Sequence, residues 1–263
     1  MKNDIIIKGF TKKYEKEIKM KLQKLYSLTR KAIDEYHMIE EGDKIAIGIS
    51  GGKDSLTLLY AMAGLRRFYP KKFEIEAITV DLGFPNFDLS KIQELCKELE
   101  VNYTIVKTQI GEIIFDIRKE SNPCSLCAKM RKGAFNEKAE ELGCNKIAYA
   151  HHKDDIIETM IMSLIYEGRF HSFSPVTYLD RMKLTAIRPL MFVDEADVIG
   201  FKNKYDLPVC KSPCPADGFT KREYAGQLVS MINKETPGVR ERMFSAIING
   251  NLPGWPPRDL TKY

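Results

Sequence analysis

Ser50-Gly51-Gly52-Lys53-Asp54-Ser55 stands between a short apolar run, Lys44 to Ile49, and the helix-like segment Leu56 to Met62. A glycine turn leading from a strand into a helix aims several backbone N–H groups, and the positive end of the helix dipole, at one point. Phosphate suits that point. Two common phosphate loops are excluded by spacing. The G-x-x-x-x-G-K-[ST] loop needs glycine where Ile47 stands, and Ser or Thr where Asp54 follows Lys53. The dinucleotide fingerprint G-x-G-x-x-G does not fit Gly48, Gly51 and Gly52.

Three further groups carry chemistry. Asp81 closes a strand-like run, where open α/β sheets bring side chains to ligands. His151-His152-Lys153-Asp154-Asp155 marks a strand-to-helix junction, suited to a nucleotide, to a metal, or to helix capping alone. Cys124 and Cys127 form a C-x-x-C after Pro123, at the entry to a helix, with Lys129, Arg131 and Lys132 downstream. A helix N-terminus and nearby cations depress a thiol's pKa, so thiolates able to bind metal are expected there. Cys210 and Cys214 add a later C-x-x-x-C, so a four-thiolate zinc site is one reading and an iron–sulfur site another. Cys96 and Cys144 read as packing residues.

These residues need elements to hold them. Strands are expected at Lys44–Ile49, Phe73–Val80, Tyr103–Lys107 and Lys146–Ala150, and helices at Leu56–Met62, Leu89–Leu99, Leu126–Leu142 and Asp154–Tyr166. Such alternation predicts an α/β fold, a parallel sheet with helices on both faces. Apolar residues Ile18, Leu22, Leu25, Ile33 and Tyr36 predict an amphipathic N-terminal helix. Three parts follow: a basic helical extension over 1–40, a nucleotide domain over 41–192, and a mostly helical part over 193–263.

The motifs taken in order, S-G-G-K-D-S, C-S-L-C-A-K-M-R-K-G, H-H-K-D-D, I-R-P-L and a late cysteine before Lys221-Arg222, resemble the tRNA 2-thiocytidine synthetase family. That family lies within the N-type ATP pyrophosphatases, the PP-loop superfamily, whose fold is Rossmann-like and adenine-nucleotide-α-hydrolase-like. The resemblance spans about Tyr14 to Gly250. It implies that ATP is cut between its α and β phosphates, with Ser50, Gly51, Gly52, Lys53, Asp54, Ser55, Asp81, His151 and Asp154 at the nucleotide. Lys53, Asp54 and Asp155 are then catalytic, with Asp54 on Mg²⁺. It also implies a [4Fe–4S] cluster on Cys124, Cys127 and Cys214, the last favoured over Cys210. The 2-thiouridine synthetases carry zinc-finger cysteines at both ends, whereas this chain has no cysteine before Cys96 or after Cys214.

The implied activity is adenylation of the C2 oxygen of a tRNA cytidine, position 32, and its replacement by sulfur to give 2-thiocytidine, AMP and pyrophosphate. The alternatives are thiolation of another base or a small molecule, and a zinc-stabilised ligase without sulfur chemistry. Implied partners are tRNA, a sulfur donor such as a cysteine desulfurase or sulfide, and a second copy of the chain. Lys129, Arg131, Lys132, Lys221 and Arg222 are candidates for tRNA phosphates.

Composition sets bounds on all of this. With 44% hydrophobic and 29% charged residues, the 263-residue chain is neither disordered, collagenous nor a coiled coil. Its net charge is +5, and residues 1–40 carry ten Lys and Arg against six acids, which permits a polyanionic partner. No apolar stretch approaches the ~18 residues of a membrane span. Met1 to Lys13 shows no secretory pattern, so a cytoplasmic, reducing location is expected, where six cysteines favour metal or sulfur chemistry over disulfides.

Overall fold

Strand β1, Asp43–Gly48, sends Ile45 and Ile47 to one face and Ala46 to the other, the two-residue period of extended chain. Both faces are covered. Ile45 and Ile47 meet Leu56, Leu58, Leu59 and Met62 of helix α2, Lys53–Arg66, together with Ile33 of the helix over residues 22–35, α1. On the other face Ala46 joins Phe135 and Ala139 of helix α5, Pro123–Glu141. The computed structural model describes residues 22–85, 87–118, 123–210, 214 and 221–261. The start of the expected N-terminal helix therefore lies outside the described residues, as do the immediate neighbours of Cys214.

Strands β2, Phe73–Asp81, β3, Asn102–Lys107, β4, Lys146–Ala148, β5, Val176–Leu179, and β6, Leu184–Ile187, complete the sheet in the order β3-β2-β1-β4-β6-β5. All neighbours pair in parallel except β5 and β6. The chain builds outward from β1 through β2 to β3, then crosses back to place β4 on the other side of β1. Open sheets bind ligands outside the carboxyl ends of their strands at such a reversal. The glycine turn after β1, Asp81 at the end of β2 and His151 after β4 all stand on that edge.

The remaining helices are α3, Ser90–Glu98, the single turn α4, Ile110–Glu112, continued by a π-type turn at Ile113–Ile117, and α6, Lys153–Glu167. They are followed by α7, Glu195–Lys204, α8, Lys221–Glu235, and α9, Val239–Asn249. The expected parallel sheet with helices on both faces is present, with one departure. Edge strand β5 runs antiparallel, joined to β6 by a tight turn in which Lys183 takes φ +51. Helix α5 starts at Pro123, not Leu126, because proline suits a first helical position that needs no N–H. Cys96 and Cys144 are buried in the two cores, and burial pushes each thiol up to about 11, as expected of packing residues.

Candidate active site

Two serines tie the glycine turn together. Ser50 N–H donates to Ser55 Oγ at 3.3 Å, Gly52 N–H to Ser50 Oγ at 3.3 Å, and Ser55 Oγ to Gly52 O at 2.9 Å. Gly51 takes φ +84, and a Cβ added there would stand 3.2 Å from Cys210 Cβ, so a side chain there is strained by the backbone and crowded by its neighbour. Cys210 N–H donates to Gly51 O at 3.0 Å, and its thiol lies 3.3 Å from Asp88 O. This thiol therefore belongs to the glycine turn.

A cavity of about 540 Å³ opens beside that turn. Its walls include Gly48, Ser50, Thr79, Asp81, Arg131, Lys132, Phe135, Tyr149, His151, Phe173, Arg188 and Cys214. Thus the β1 turn, the ends of β2 and β4, helix α5 and the late cysteine meet at one space. Asp81 faces it while its Oδ1 accepts from Gly83 N–H at 3.0 Å. His151 stacks on Phe173, with centroids 4.2 Å apart. Burial, then the nearby Arg188 charge, lowers the His151 pKa to about 4, so its imidazole is neutral at pH 7. Arg188 packs 5.3 Å from the Phe173 ring and donates to Ser174 O. Burial lowers its pKa to about 10, which leaves it charged. Tyr149 Oη, His151 Nδ1 and Arg188 Nε are buried without a hydrogen-bond partner among the described residues.

Lys53 sits between two carboxylates, 3.2 Å from Asp54 Oδ1 and 3.1 Å from Glu195 Oε1. Burial works to lower its pKa, but Asp54 and Glu195 outweigh that and hold it raised. The buried His152 imidazole lies 3.6 Å from Asp54, 3.6 Å from Asp154 and 3.5 Å from Asp155. Asp155 also pairs with Arg222 at 3.3 Å. Asp154 lies apart from the cavity at the glycine turn. It accepts from Glu195 N–H at 2.7 Å, pairs with Arg240, and lines a second cavity of about 700 Å³ with Glu158, Glu195 and Glu223.

The thiols fall into two groups. Cys127 interacts electrostatically with both Cys124 and Cys214, so those three are neighbours, whereas Cys210 stands at the glycine turn. The expected depression of thiol pKa is not found at Cys127. Burial raises it, and Arg131, acting in the opposite direction, is the weaker influence. Among the described residues no three His, Cys, Asp or Glu already converge on a metal ion. The donor set of the trio is nonetheless all sulfur, which fits an iron–sulfur group. Of the candidate cations, Arg131 and Lys132 line the cavity, Lys129 and Lys221 are exposed outside its lining, and Arg222 lies 5.7 Å from the Phe173 ring. The spacing of residues does not reveal Phe173, Arg188 or Glu195; only the I-R-P-L motif hints at Arg188.

The PP-loop domain family matches residues 14–219. The tRNA-cytidine(32) 2-sulfurtransferase of Syntrophotalea carbinolica is 36% identical over 86% of this chain and 89% of that protein. The protein of the same name from Geotalea uraniireducens is 37% identical over 83% and 88%. Among solved structures, the U34-tRNA thiolase NcsA of Methanococcus maripaludis, determined with its [4Fe–4S] cluster, superposes with a TM-score of 0.68. It is 23% identical, over 84% of this chain and 76% of that one, and shares the fold. This chain belongs to the PP-loop family and, within it, to the tRNA-cytidine(32) 2-sulfurtransferases.

Proposed function

We propose that the protein is a tRNA thiolase that adenylates the C2 oxygen of a cytidine, position 32, and replaces that oxygen with sulfur. The products are 2-thiocytidine, AMP and pyrophosphate. The observation that carries this reading is the shared cavity, which sets Ser50 of the glycine turn and Cys214 of the sulfur trio on walls of one space. A thiolase needs phosphate chemistry and sulfur chemistry at the same carbon.

The residues divide the work as follows. The turn amides of Ser50 to Ser55, with Lys53, take the β and γ phosphates and stabilise the departing pyrophosphate. Asp54 and Asp155, both within 3.6 Å of His152, would hold Mg²⁺ against those phosphates. Asp81 and His151 line the space left for nucleotide and base. The base oxygen attacks the α phosphorus, breaking the α–β bond. Sulfur at the sulfide level then adds at C2, and AMP leaves with the oxygen. The oxygen is a poor leaving group until it carries AMP. Cys124, Cys127 and Cys214 would hold the [4Fe–4S] cluster, which when bound supplies an iron not ligated by protein at which sulfur is presented. Asp154, tied to Arg240 and α7, supports the start of α6 beside the nucleotide.

The test uses protein purified without oxygen and incubated with unmodified tRNA, ATP, Mg²⁺ and sulfide. Mass spectrometry of the digested tRNA is expected to show ATP-dependent 2-thiocytidine. Pyrophosphate release with no thiolated nucleoside would overturn the reading in favour of ligation, and thiolated uridine would move the target base.

A further inference from the structure

Residues 164–171, at the end of α6 and in the loop after it, are eight consecutive exposed positions. They include four large apolar side chains, Leu164, Ile165, Tyr166 and Phe170, the last 70% exposed. Midway along the run Gly168, with φ +63, turns the chain out of the helix. At its far end it leads within three residues to Phe173, a wall of the cavity described above. Cations interleave with the rings. Lys221 Nζ stands 4.5 Å from the centre of the Tyr166 ring, and the Arg222 guanidinium 5.7 Å from that of Phe173. Arg169 is 62% exposed along its side chain and pairs with Glu167 at 2.6 Å. The cavity that the strip leads into is lined by Arg131, Lys132 and Arg188 against one acid, Asp81.

Exposed ring faces alternating with cations suit a partner that is flat, apolar and anionic by turns. That describes a single-stranded nucleic acid, whose bases stack on aromatic rings while its phosphates meet Lys and Arg. A purely apolar protein surface would bury the exposed Lys221 ammonium beside the Tyr166 ring with nothing anionic brought to it by the partner, which is costly. A base inside a stem–loop must also leave its stack to enter a cavity, and its neighbours then need a new surface.

We infer that Tyr166 and Phe170, with Lys221, form a stacking platform for the nucleotides flanking the target base. The inference rests on the thiolase reading, since it takes the adjoining cavity as the place of the target. It adds residues that act on RNA binding and not on ATP.

The probe is a synthetic anticodon stem–loop carrying 2-aminopurine next to the target cytidine. Wild-type protein is expected to quench the fluorophore on binding. Phe170→Ala and Tyr166→Ala are each expected to raise Kd on the order of ten-fold and to lose the quenching. Their salt dependence of Kd should stay unchanged, and Phe170→Tyr should restore both readouts. Lys221→Ala should instead lower the salt slope by about one and keep the quenching. Phe170 is exposed, so its truncation leaves the fold intact, which thermal unfolding checks. Unchanged Kd and quenching in Phe170→Ala and Tyr166→Ala would overturn the platform while leaving the thiolase reading intact. So would loss of self-association in sedimentation without loss of RNA binding, which would assign the strip to a second copy of the chain. Wild-type protein that thiolates tRNA but does not quench the fluorophore would also overturn it. Failure of the wild type to bind any RNA would instead sink the reading on which it rests.

Discussion

Lys53 Nζ lies 3.1 Å from Glu195 Oε1, across from the β1 turn to the first residue of α7. Glu195 is itself anchored, because its N–H donates to Asp154 Oδ2 at 2.7 Å. Incoming phosphates therefore compete with a carboxylate for the lysine. Glu195→Gln is expected to lower the KM for ATP a few-fold by removing that competitor. Lys53→Ala is expected to reduce pyrophosphate release by roughly 10² or more, the scale of losing one donor to developing charge. ATP titrations with a pyrophosphate readout check both.

The cysteines separate by neighbourhood. Cys124→Ala, Cys127→Ala and Cys214→Ala are each expected to abolish or sharply reduce bound iron, labile sulfide and the visible absorption of anaerobically purified protein. Cys210→Ala should keep all three signals, since its thiol faces Asp88 O beside the glycine turn. Iron retained in Cys214→Ala but lost in Cys210→Ala would reverse the assignment.

Gly51 combines φ +84 with a neighbouring Cβ at 3.2 Å. Gly51→Ala should cost about 1–2 kcal/mol for the left-handed backbone, plus whatever the Cys210 contact adds. Chemical denaturation measures the loss. Pyrophosphate release should fall further than stability alone explains, because the turn's amides move.

Glu158 has its pKa raised from 4.5 to about 7, first by burial and then by the charge of Asp155, against the pull of Arg222. A carboxyl raised on folding binds its proton more tightly in the native state. Its contribution is therefore complete below about pH 4.5 and is lost as pH rises towards 7. Glu158→Gln should remove that decline, so the variant's Tm gains relative to wild type between pH 5 and pH 7.5. His151 acts oppositely. Its pKa is lowered to about 4, so its contribution is present above 6.5 and lost as pH falls towards 4. Comparing the variant with wild type at each pH isolates Glu158.

Local signals carried the centre of this molecule. A glycine turn after an apolar run, a repeated strand-then-helix rhythm and a C-x-x-C behind a proline are all short-range patterns. Each corresponds to β1 and α2, to the parallel part of the sheet, or to the start of α5. What the sequence hid is non-local. Strand β5 is four residues long, lies at an edge, and leads into β6 through a turn with no Asn-Gly or Asp-Gly signature. Phe173 and Arg188 gain their place only when β4 and β6 pair, and Glu195 only when α7 packs on α2. The Cys127 thiol shows a balance that spacing cannot give, since burial outweighs a cation one helical turn away.

The hydrogen bond from Cys210 N–H to Gly51 O fixes one end of a very short leash. Four peptide steps later comes Cys214, and a fully extended chain covers at most about 14 Å in that distance. Covalent geometry alone thus sets an upper limit on how far the sulfur-bearing wall of the cavity can stand from the phosphate turn. Glycines inserted between Cys210 and Cys214 would raise that limit by about 3.5 Å each, turning a mechanical constraint into an adjustable distance.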